Sequence, residues 1–354
     1  MPRVSVVIPS YNHEKYVAEV IQSVLDQTFQ DFEIVITDDG STDQTVTELR
    51  RFSDQRIKLF CFENNRGACV AIRNCLDKAN GQYIAVLNSD DTFLPFKLEK
   101  QVRFLDEHRQ IGAVFGHAQI VDENGRPWSG KKHSYHRIFK QENRSRYEWL
   151  NHFFYQGNCL CHPTVLIRRE CYEKVGYLDK RLAQLPDLDF WIRLCMKYEI
   201  HIIQQDLIKF RLRSNKANIS ASKPETLKRS WWEYRHILSN YLKIKDVHDF
   251  FRIFPEAQEY GKELDNDLIP FALAMLALKQ SEKEFHHTFV LDVIFEMLAD
   301  EKLAAKIAAH FGFHFIDFIK LTGQYDSFGI AKVKELQAKQ GKSLISSFKD
   351  LLKR

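Results

Sequence analysis

The first 110 residues alternate between short apolar runs and segments whose apolar positions recur with helical spacing. The β-branched run at residues 4–8 is typical of a strand buried on both faces of a parallel sheet. Between residues 14 and 28, apolar side chains at positions 16, 17, 20, 21, 24 and 25 predict an amphipathic helix. The same reasoning predicts strands at 32–37, 57–62 and 83–87. It predicts one helix that Ser41 or Thr42 caps and two further helices at 68–79 and 95–108. Four strand–helix units in this length predict an α/β fold with a three-layer, mostly parallel sheet.

The pattern becomes less regular beyond residue 110. It predicts a loop-rich region with a turn at Asn124-Gly125, a helix at 187–197, and strands at 111–121, 164–168, 200–204 and 207–212. From about residue 224 onward it predicts helices alone. We therefore predict an α/β domain over residues 1–220, made of the halves 1–110 and 111–220, and a helical C-terminal region over 221–354.

The composition is that of an ordinary globular protein, with 354 residues, 44% hydrophobic residues and a net charge of +4. Such a small charge gives no reason to expect nucleic acid as a partner. The longest apolar run, 268–278, is shorter than the roughly 20 residues that a membrane-spanning helix needs. The N-terminal apolar run is too short for a signal peptide. We therefore expect a cytoplasmic protein.

Seven cysteines are scattered through apolar segments without a CxxC pair, which indicates reduced thiols. Cys159, Cys161 and His162 form a cluster that could bind zinc, although tight zinc sites usually space their ligands differently. Buried, reduced side chains are therefore the favoured interpretation, and zinc is the alternative.

Two of the predicted strands end in paired aspartates. Asp38-Asp39 follow the second strand and Asp90-Asp91 follow the fourth. In an open α/β sheet, ligands bind beyond the carboxyl ends of the strands, and burying unpaired carboxylates costs several kcal/mol each. A hard divalent cation that leaves positions open for substrate phosphates suits adjacent acids at such an edge. The alternative for Asp90-Asp91 is capping of the following helix.

Four segments in order resemble the successive signatures of family 2 glycosyltransferases: VSVVIPSYN, QTFQDFEIVITDDGSTD, NNRGACVAIRN and GQYIAVLNSDD. The resemblance covers about residues 3–215. It implies the Rossmann-like GT-A fold, here with a helical extension, and transfer of a sugar with inversion from a nucleoside-diphosphate sugar to an acceptor hydroxyl. It further implies uridine diphosphate as the favoured nucleotide, Mn²⁺ or Mg²⁺ as the cofactor, and a role in bacterial surface polysaccharide or glycoconjugate synthesis.

The resemblance assigns the donor-side residues by motif, namely Pro9, Tyr11, Asp39, Arg73, Asp90 and Asp91. Pro9 and Tyr11 would lie at the nucleobase pocket, where Tyr11 would stack on the base and Asp39 would accept its hydrogen bond. Arg73 would face the nucleotide. Asp90 would hold the ribose and Asp91 would bind the metal directly. The alternatives are a packed aromatic for Tyr11 and a solvated helix charge for Arg73.

The segment Leu185–Trp191 resembles the acidic pair that begins a helix in the family. Pro186 stands where the family commonly has Glu, and Asp187 matches the catalytic Asp. An inverting transfer needs one base to take the proton of the acceptor hydroxyl, so the resemblance implies that Asp187 is this base. The alternative is that Asp187 is a first-turn acid that stabilises its helix.

Further residues are candidates by the same resemblance. His162, Asp189 and Trp191 are acceptor-side candidates, although a structural histidine, a helix-start acid and a core aromatic are the alternatives. Arg213 replaces a family His that helps to hold the metal or diphosphate. A guanidinium cannot ligate a cation but can bind a diphosphate through two hydrogen bonds. Residues 214–223 would then form a mobile lid.

The segment 342–354 is amphipathic, with apolar residues on one side and basic residues opposite. Docking onto neighbouring helices is the favoured interpretation. Peripheral contact with the inner face of a membrane and homo-oligomer formation are the alternatives. The acceptor is expected to be a saccharide, a lipid-linked sugar or a protein. Two other functions are weighed against the transferase. A sugar-phosphate nucleotidyltransferase usually has a Gly-rich, Arg/Lys-containing loop after its first strand, and PSYNHEKY is not such a loop. A non-catalytic binding module would have little reason to keep the acids at 39, 90, 91 and 187.

Overall fold

The structure is a computed structural model that describes residues 1–129, 133–214, 218, 220–221, 223–261 and 263–325. The chain divides into two compact units, residues 1–240 and 241–354. The segment 342–354 lies outside the described residues, and so do five positions of the predicted lid, 215–217, 219 and 222.

In the part of the first unit that the structure describes, eight strands form one sheet. They are β1 (Val4–Ser10), β2 (Phe32–Asp38), β3 (Ile57–Cys61), β4 (Tyr83–Val86), β5 (Thr92–Phe93), β6 (Ile111–Val121), β7 (Leu166–Arg168) and β8 (Glu199–Arg211). Their order is β3-β2-β1-β4-β7-β6-β8-β5. The pairings β1–β2, β1–β4, β2–β3 and β6–β8 are parallel, and β4–β7, β6–β7 and β5–β8 are antiparallel. The predicted α/β fold with a mostly parallel sheet is confirmed.

The helices of the first unit cover both faces of the sheet. They are α1 (Val17–Leu25), α2 (Thr45–Leu49), α3 (Ala68–Lys78), α4 (Lys97–Glu107), α5 (Tyr135–Ile138), α6 (Arg146–Tyr155), α7 (Arg169–Val175), α8 (Pro186–Cys195) and α9 (Pro224–Leu238). Val4, Val6 and Ile8 of β1 share a hydrophobic core with the apolar face of α1. Strand β1 also contacts α3, so β1 is buried on both faces, as its continuous apolar run predicts.

Three local predictions differ from the structure. The loop-rich region also contains α6, whose capping box between Ser145 and Glu148 is a start signal that can be read from sequence. The two strands predicted at 200–204 and 207–212 are one strand, β8. The polar residues between them form a bulge near Asp206, which lets the strand continue. Helix α2 begins at Thr45 without a side-chain cap, since Ser41 Oγ donates instead to Asp38 Oδ2 at 2.6 Å.

The second unit is helical in its described residues, as predicted. Its α-helices are α10 (Val247–Ile253), α11 (Ile269–Gln280), α12 (Glu284–Leu298), α13 (Glu301–Phe311) and α14 (Phe315–Gln324). Helix α11 is buried at most positions and packs against α12. None of the helices within the described ranges is both long and apolar enough to span a bilayer.

Candidate active site

The carboxyl ends of β1, β2 and β4 lie side by side because these strands pair in parallel, with Ser10 opposite Asp38. Asn12 joins the loops that follow β1 and β2. Its backbone N–H donates to Ser41 Oγ at 2.9 Å, and its Oδ1 accepts from the backbone N–H of Thr42 at 2.8 Å. The loops that carry the predicted donor-side residues therefore meet at one edge of the sheet, where an open α/β sheet binds its ligands.

Asp39 organises the loop that leads into α3. Its buried carboxylate accepts from the backbone N–H groups of Arg66 at 2.7 Å and Gly67 at 2.8 Å. Gly67 has φ +97°, a conformation that favours glycine and lets both N–H groups point at one acid. Each carboxylate oxygen has a second lone pair, so Asp39 can still accept a hydrogen bond from a base. That contact stays a prediction.

Pro9 and Tyr11 lie at the end of β1. Pro9 is the penultimate residue of the strand, and the Tyr11 side chain is 41% exposed. An exposed ring at the ligand-binding edge is free to stack on a planar base, and the alternative of a packed aromatic does not fit this exposure. Stacking on a nucleobase stays a prediction.

Arg73 lies on α3 and makes contacts away from the strand-end acids. Its guanidinium pairs with Asp77 at 2.8 Å and stacks over the Tyr177 ring with 3.4 Å between its Cζ and the ring centroid. Neither partner is a predicted nucleotide-binding residue. The nucleotide contact of Arg73 therefore stays a prediction that these contacts do not support.

The Asp90-Asp91 pair is held by Arg211, a residue that the sequence analysis did not select. The backbone N–H of Arg211 donates to Asp91 Oδ1 at 2.9 Å, and its Nε donates to the Asp90 carbonyl at 2.8 Å. Its two terminal nitrogens reach the Glu123 carbonyl and Glu19 Oε2. Arg211 thus fixes the strand-end acids against β8. Arg211 lies two residues before Arg213 in the sequence FRLR at 210–213, but the family resemblance pointed to Arg213.

Arg213 lies beside Asp90, and its diphosphate role stays a prediction. Its Nε is 3.1 Å from Asp90 Oδ2, and its Nη1 is 2.7 Å from His13 Nε2. Burial lowers the pKa of His13, which favours the neutral ring. Because a guanidinium only donates, His13 Nε2 must accept, and Nδ1 then donates to Ser89 Oγ at 2.7 Å. His13 therefore orients Arg213, and it directly follows the first motif in sequence.

Asp187 occupies the N-terminal turn of α8, directly after Pro186 at the first helical position. Its Oδ2 accepts from Asn158 Nδ2 at 2.6 Å, and its Oδ1 accepts from the backbone N–H of Leu188 at 2.8 Å. Burial raises the pKa of Asp187 to about 6, although these two hydrogen bonds oppose the shift. A carboxylate with a pKa near neutrality is suited to take up a proton at physiological pH.

Asp91 at the strand end and Asp187 in the acceptor half both act on the Cys161 thiol. Burial raises the pKa of this thiol, and the carboxylates of Asp91 and Asp187 both raise it further. A shared reaction site for the predicted metal ligand and the predicted base stays a prediction.

The three acceptor-side candidates are packed to different degrees. Trp191 is buried and packs edge-on against Phe115, and the His162 ring packs edge-on against Trp191. Burial lowers the pKa of His162 to about 4, so the ring is neutral. Asp189 is buried and pairs with Arg193 at 2.7 Å. These contacts fit the core and helix-start alternatives, and acceptor contacts by Asp189, Trp191 and His162 stay predictions.

The zinc alternative receives no support from the structure. Cys159 and Cys161 are buried, and burial raises the pKa of both thiols, which disfavours the thiolates that zinc requires. Across the residues whose structure is described, no group of three or more His, Cys, Asp or Glu side chains could hold a metal ion.

The raised pKa of Asp187 predicts the pH dependence of its reaction. A base with a pKa of about 6 is mostly ionised at pH 8 and mostly protonated at pH 5, so kcat should be about tenfold lower at pH 5. Initial rates at saturating donor between pH 5 and 8 measure this. A flat profile would contradict the raised pKa of Asp187, because an aspartate with an ordinary pKa stays largely ionised throughout this range.

Comparisons with known proteins identify the family and the fold of the chain. The sequence model of glycosyl transferase family 2 matches residues 5–175. An uncharacterized glycosyltransferase of Methanocaldococcus jannaschii is 31% identical over 252 residues, which are 68% of this chain and 83% of the relative. The Escherichia coli UDP-Glc:alpha-D-GlcNAc-diphosphoundecaprenol beta-1,3-glucosyltransferase WfgD is 30% identical over 232 residues, 64% of this chain and 83% of that protein.

A solved structure confirms the predicted GT-A fold. The S. aureus protein TarS, residues 1–349 in complex with UDP-GlcNAc, superposes with a TM-score of 0.57 at 20% identity. The match covers 96% of this chain and 92% of that chain. The predicted family is confirmed as well, and it excludes the sugar-phosphate nucleotidyltransferase. The chain belongs to glycosyl transferase family 2, whose members transfer sugars from nucleotide-sugar donors.

Proposed function

We propose that this glycosyltransferase moves a sugar, with inversion, from a UDP-sugar to an acceptor hydroxyl in the synthesis of a bacterial surface polysaccharide or glycoconjugate. The observation that carries the mechanism is Asp187, a partly buried acid at the start of α8 with a pKa of about 6, whose charge acts together with that of Asp91 on the Cys161 thiol. The name of the E. coli relative, which specifies a UDP-glucose donor and a lipid-diphosphate-linked sugar acceptor, supports UDP and a lipid-linked acceptor.

In the proposed reaction, Asp187 takes the proton from the acceptor hydroxyl as the acceptor oxygen attacks C1 of the donor sugar. The bond from C1 to the acceptor oxygen forms while the bond from C1 to the diphosphate oxygen breaks. The nucleoside diphosphate leaves with the bonding electrons, and the proton remains on Asp187. Asn158 and the backbone N–H of Leu188 hold the carboxylate in one orientation, which removes the entropic cost of orienting it during the reaction.

The residues at the strand end fit a divalent cation. Burial and the neighbouring Asp90 carboxylate raise the pKa of Asp91 well above its usual value, and the nearby charge of Arg211 opposes this shift only in part. Both Asp91 oxygens already accept protein hydrogen bonds but keep a lone pair each. Mg²⁺ commonly binds one or two carboxylates together with substrate phosphates. We propose that Asp91 would hold Mn²⁺ or Mg²⁺, which would neutralise charge on the leaving diphosphate.

Arg213 is proposed to bind the diphosphate directly. Its guanidinium lies between Asp90 and His13, and its fork of donors matches two phosphate oxygens. A cytoplasmic location, peripheral contact with the membrane and homo-oligomer formation stay predictions.

Nucleotide titrations test the proposed donor. We expect UDP with Mn²⁺ to bind more tightly than GDP, CDP or ADP, and to raise the unfolding free energy by roughly 2.7 kcal/mol at a hundredfold excess over its dissociation constant. Calorimetry and thermal melting measure this with and without Mn²⁺. Transfer from UDP-sugars to a polyprenyl-diphosphate-linked sugar, compared with the free sugar, then tests the acceptor. Equal affinity for all four nucleotides would contradict the UDP assignment.

A further inference from the structure

Helix α9 lies outside the residues matched by the family model, yet it belongs to the same compact unit as the site. Glu233 on α9 is almost fully buried, with 1% of its surface exposed. A carboxylate is costly to bury unless it accepts strong hydrogen bonds. The hydrogen-bond partners of Glu233 therefore explain why a carboxylate is stable at this buried position.

Glu233 binds the three residues that lead into α8. Its Oε1 accepts from the backbone N–H of Ala183 at 2.8 Å and of Gln184 at 3.2 Å. Its Oε2 accepts from the backbone N–H of Gln184 at 2.9 Å and of Leu185 at 2.8 Å. Successive N–H groups turned toward one point form an anion-binding nest. The nest ends at Leu185, because the next residue, Pro186, has no N–H. Asp187 follows Pro186 directly.

The same helix also reaches the other partner of Asp187. Tyr234, the neighbour of Glu233, packs against Gly157, where an added Cβ would lie 2.3 Å from the Tyr234 hydroxyl oxygen. Gly157 precedes Asn158, whose side chain donates to Asp187 Oδ2. Just after α9, Asn240 Nδ2 donates to Asp189 Oδ1 at 2.8 Å. One segment therefore fixes α8 and the Asn158 turn relative to each other.

We infer that Glu233 is a positioning residue that sets both the orientation and the electrostatic environment of the Asp187 carboxylate. This inference rests on the proposed role of Asp187 as the base. Glu233 holds the backbone from which Asp187 projects. It also places a second negative charge near Asp187, which contributes to the raised pKa of Asp187. Glu233 does not itself contact a substrate.

The groups facing Asp187 set the expected direction of the pH effect. Besides Glu233, its charge acts on Cys69 of α3, on Cys161 and on Tyr234 of α9, and burial raises the pKa of each of these three groups. They stay neutral between pH 5 and 8. Removing the charge of Glu233 should therefore lower the pKa of Asp187 and move the acidic limb of the rate profile to lower pH.

The test compares Glu233→Gln with Glu225→Gln, an identical change at an exposed position on the same helix. Glu233→Gln removes the charge and replaces one acceptor oxygen by a donor. We expect kcat to fall at least about tenfold, in line with the loss of a well-oriented base, and the pH midpoint to move to lower pH. The dissociation constant of UDP with Mn²⁺ and the donor KM should stay within about twofold, and Glu225→Gln should match wild type.

Glu233→Asp provides a second test of the inference, which does not depend on whether Glu233→Gln folds. It keeps the charge but withdraws the carboxylate by one methylene from the three N–H groups, so kcat should fall while the pH midpoint changes less. Wild-type kcat in either folded variant would overturn the inference. So would a lower kcat of Glu233→Gln without a shifted midpoint, or a parallel loss of nucleotide affinity, because either indicates a general structural role.

Asp187→Asn measured in the same assay separates the two proposals. If Asp187→Asn transfers sugar at the wild-type rate, the base assignment fails and the inference about Glu233 fails with it. If Asp187→Asn is inactive and Glu233→Gln is unaffected in rate and midpoint, only the inference about Glu233 fails. Both proposals are supported if both variants lose rate and the pH midpoint of Glu233→Gln moves to lower pH. That midpoint is measured from the residual activity of Glu233→Gln.

Discussion

Replacing Asp187 by asparagine is expected to lower the rate of sugar transfer by at least about a hundredfold, equivalent to roughly 2.7 kcal/mol of transition-state stabilisation. Asparagine has nearly the same size but cannot accept the proton of the acceptor hydroxyl. Its Oδ1 can still accept from the backbone N–H of Leu188, so the start of α8 should persist. Initial rates with a working donor and acceptor, beside titrations with UDP and Mn²⁺, measure the effect.

Asp189→Asn is the matched control, because it makes the same change two residues further along α8. Asp189 is paired with Arg193 and Asn240, so this variant should melt at a lower temperature while kcat stays within a few-fold of wild type. Near-normal transfer by Asp187→Asn would remove it as the base and redirect attention to Asp189 or His162. Loss of nucleotide affinity together with rate would instead favour the structural role of Asp187.

Asp91→Asn should abolish the contribution of Mn²⁺ to nucleotide binding. The carboxylate is the proposed metal ligand, and a neutral amide oxygen is a much weaker ligand for a hard cation. The fold should survive, because the neutral side chain removes the cost of burying a charge and the repulsion from Asp90, which both raise the pKa of Asp91. Without ligands, the melting temperature should equal or exceed that of wild type. Calorimetry of UDP binding at several Mn²⁺ concentrations measures the linkage.

Asp267→Asn serves as the control for a changed net charge, since its side chain is largely exposed in the second unit. This variant should keep the full dependence of UDP affinity on Mn²⁺. An unchanged dependence in Asp91→Asn would disprove the metal assignment. A lower melting temperature of Asp91→Asn without ligand would show that Asp91 mainly stabilises the fold through Arg211, whose backbone N–H donates a hydrogen bond to it.

Much of the first half was predictable from sequence because its signals are local. Continuous apolar runs predicted β1, β2 and β4, since a strand buried on both faces leaves no polar alternation. The acids at the ends of β2 and β4 pointed to the ligand-binding edge because parallel strands end together. The bulged strand β8 was divided in two, because polar side chains at a bulge resemble those of a turn.

The sequence by itself determined the family, the α/β architecture and the identity of the acids at the strand ends. Only the tertiary structure decided which side chains hold them. Arg211 reaches Asp91 across 120 residues, His13 meets Arg213 across 200, and Glu233 binds the α8 entry across about 50. Hydrogen bonds between residues so far apart produce no periodic pattern in the sequence, because they depend on how strands and helices pack. Motifs therefore predict which groups react, whereas the orientation and pKa values of these groups arise from burial and long-range contacts in the folded chain.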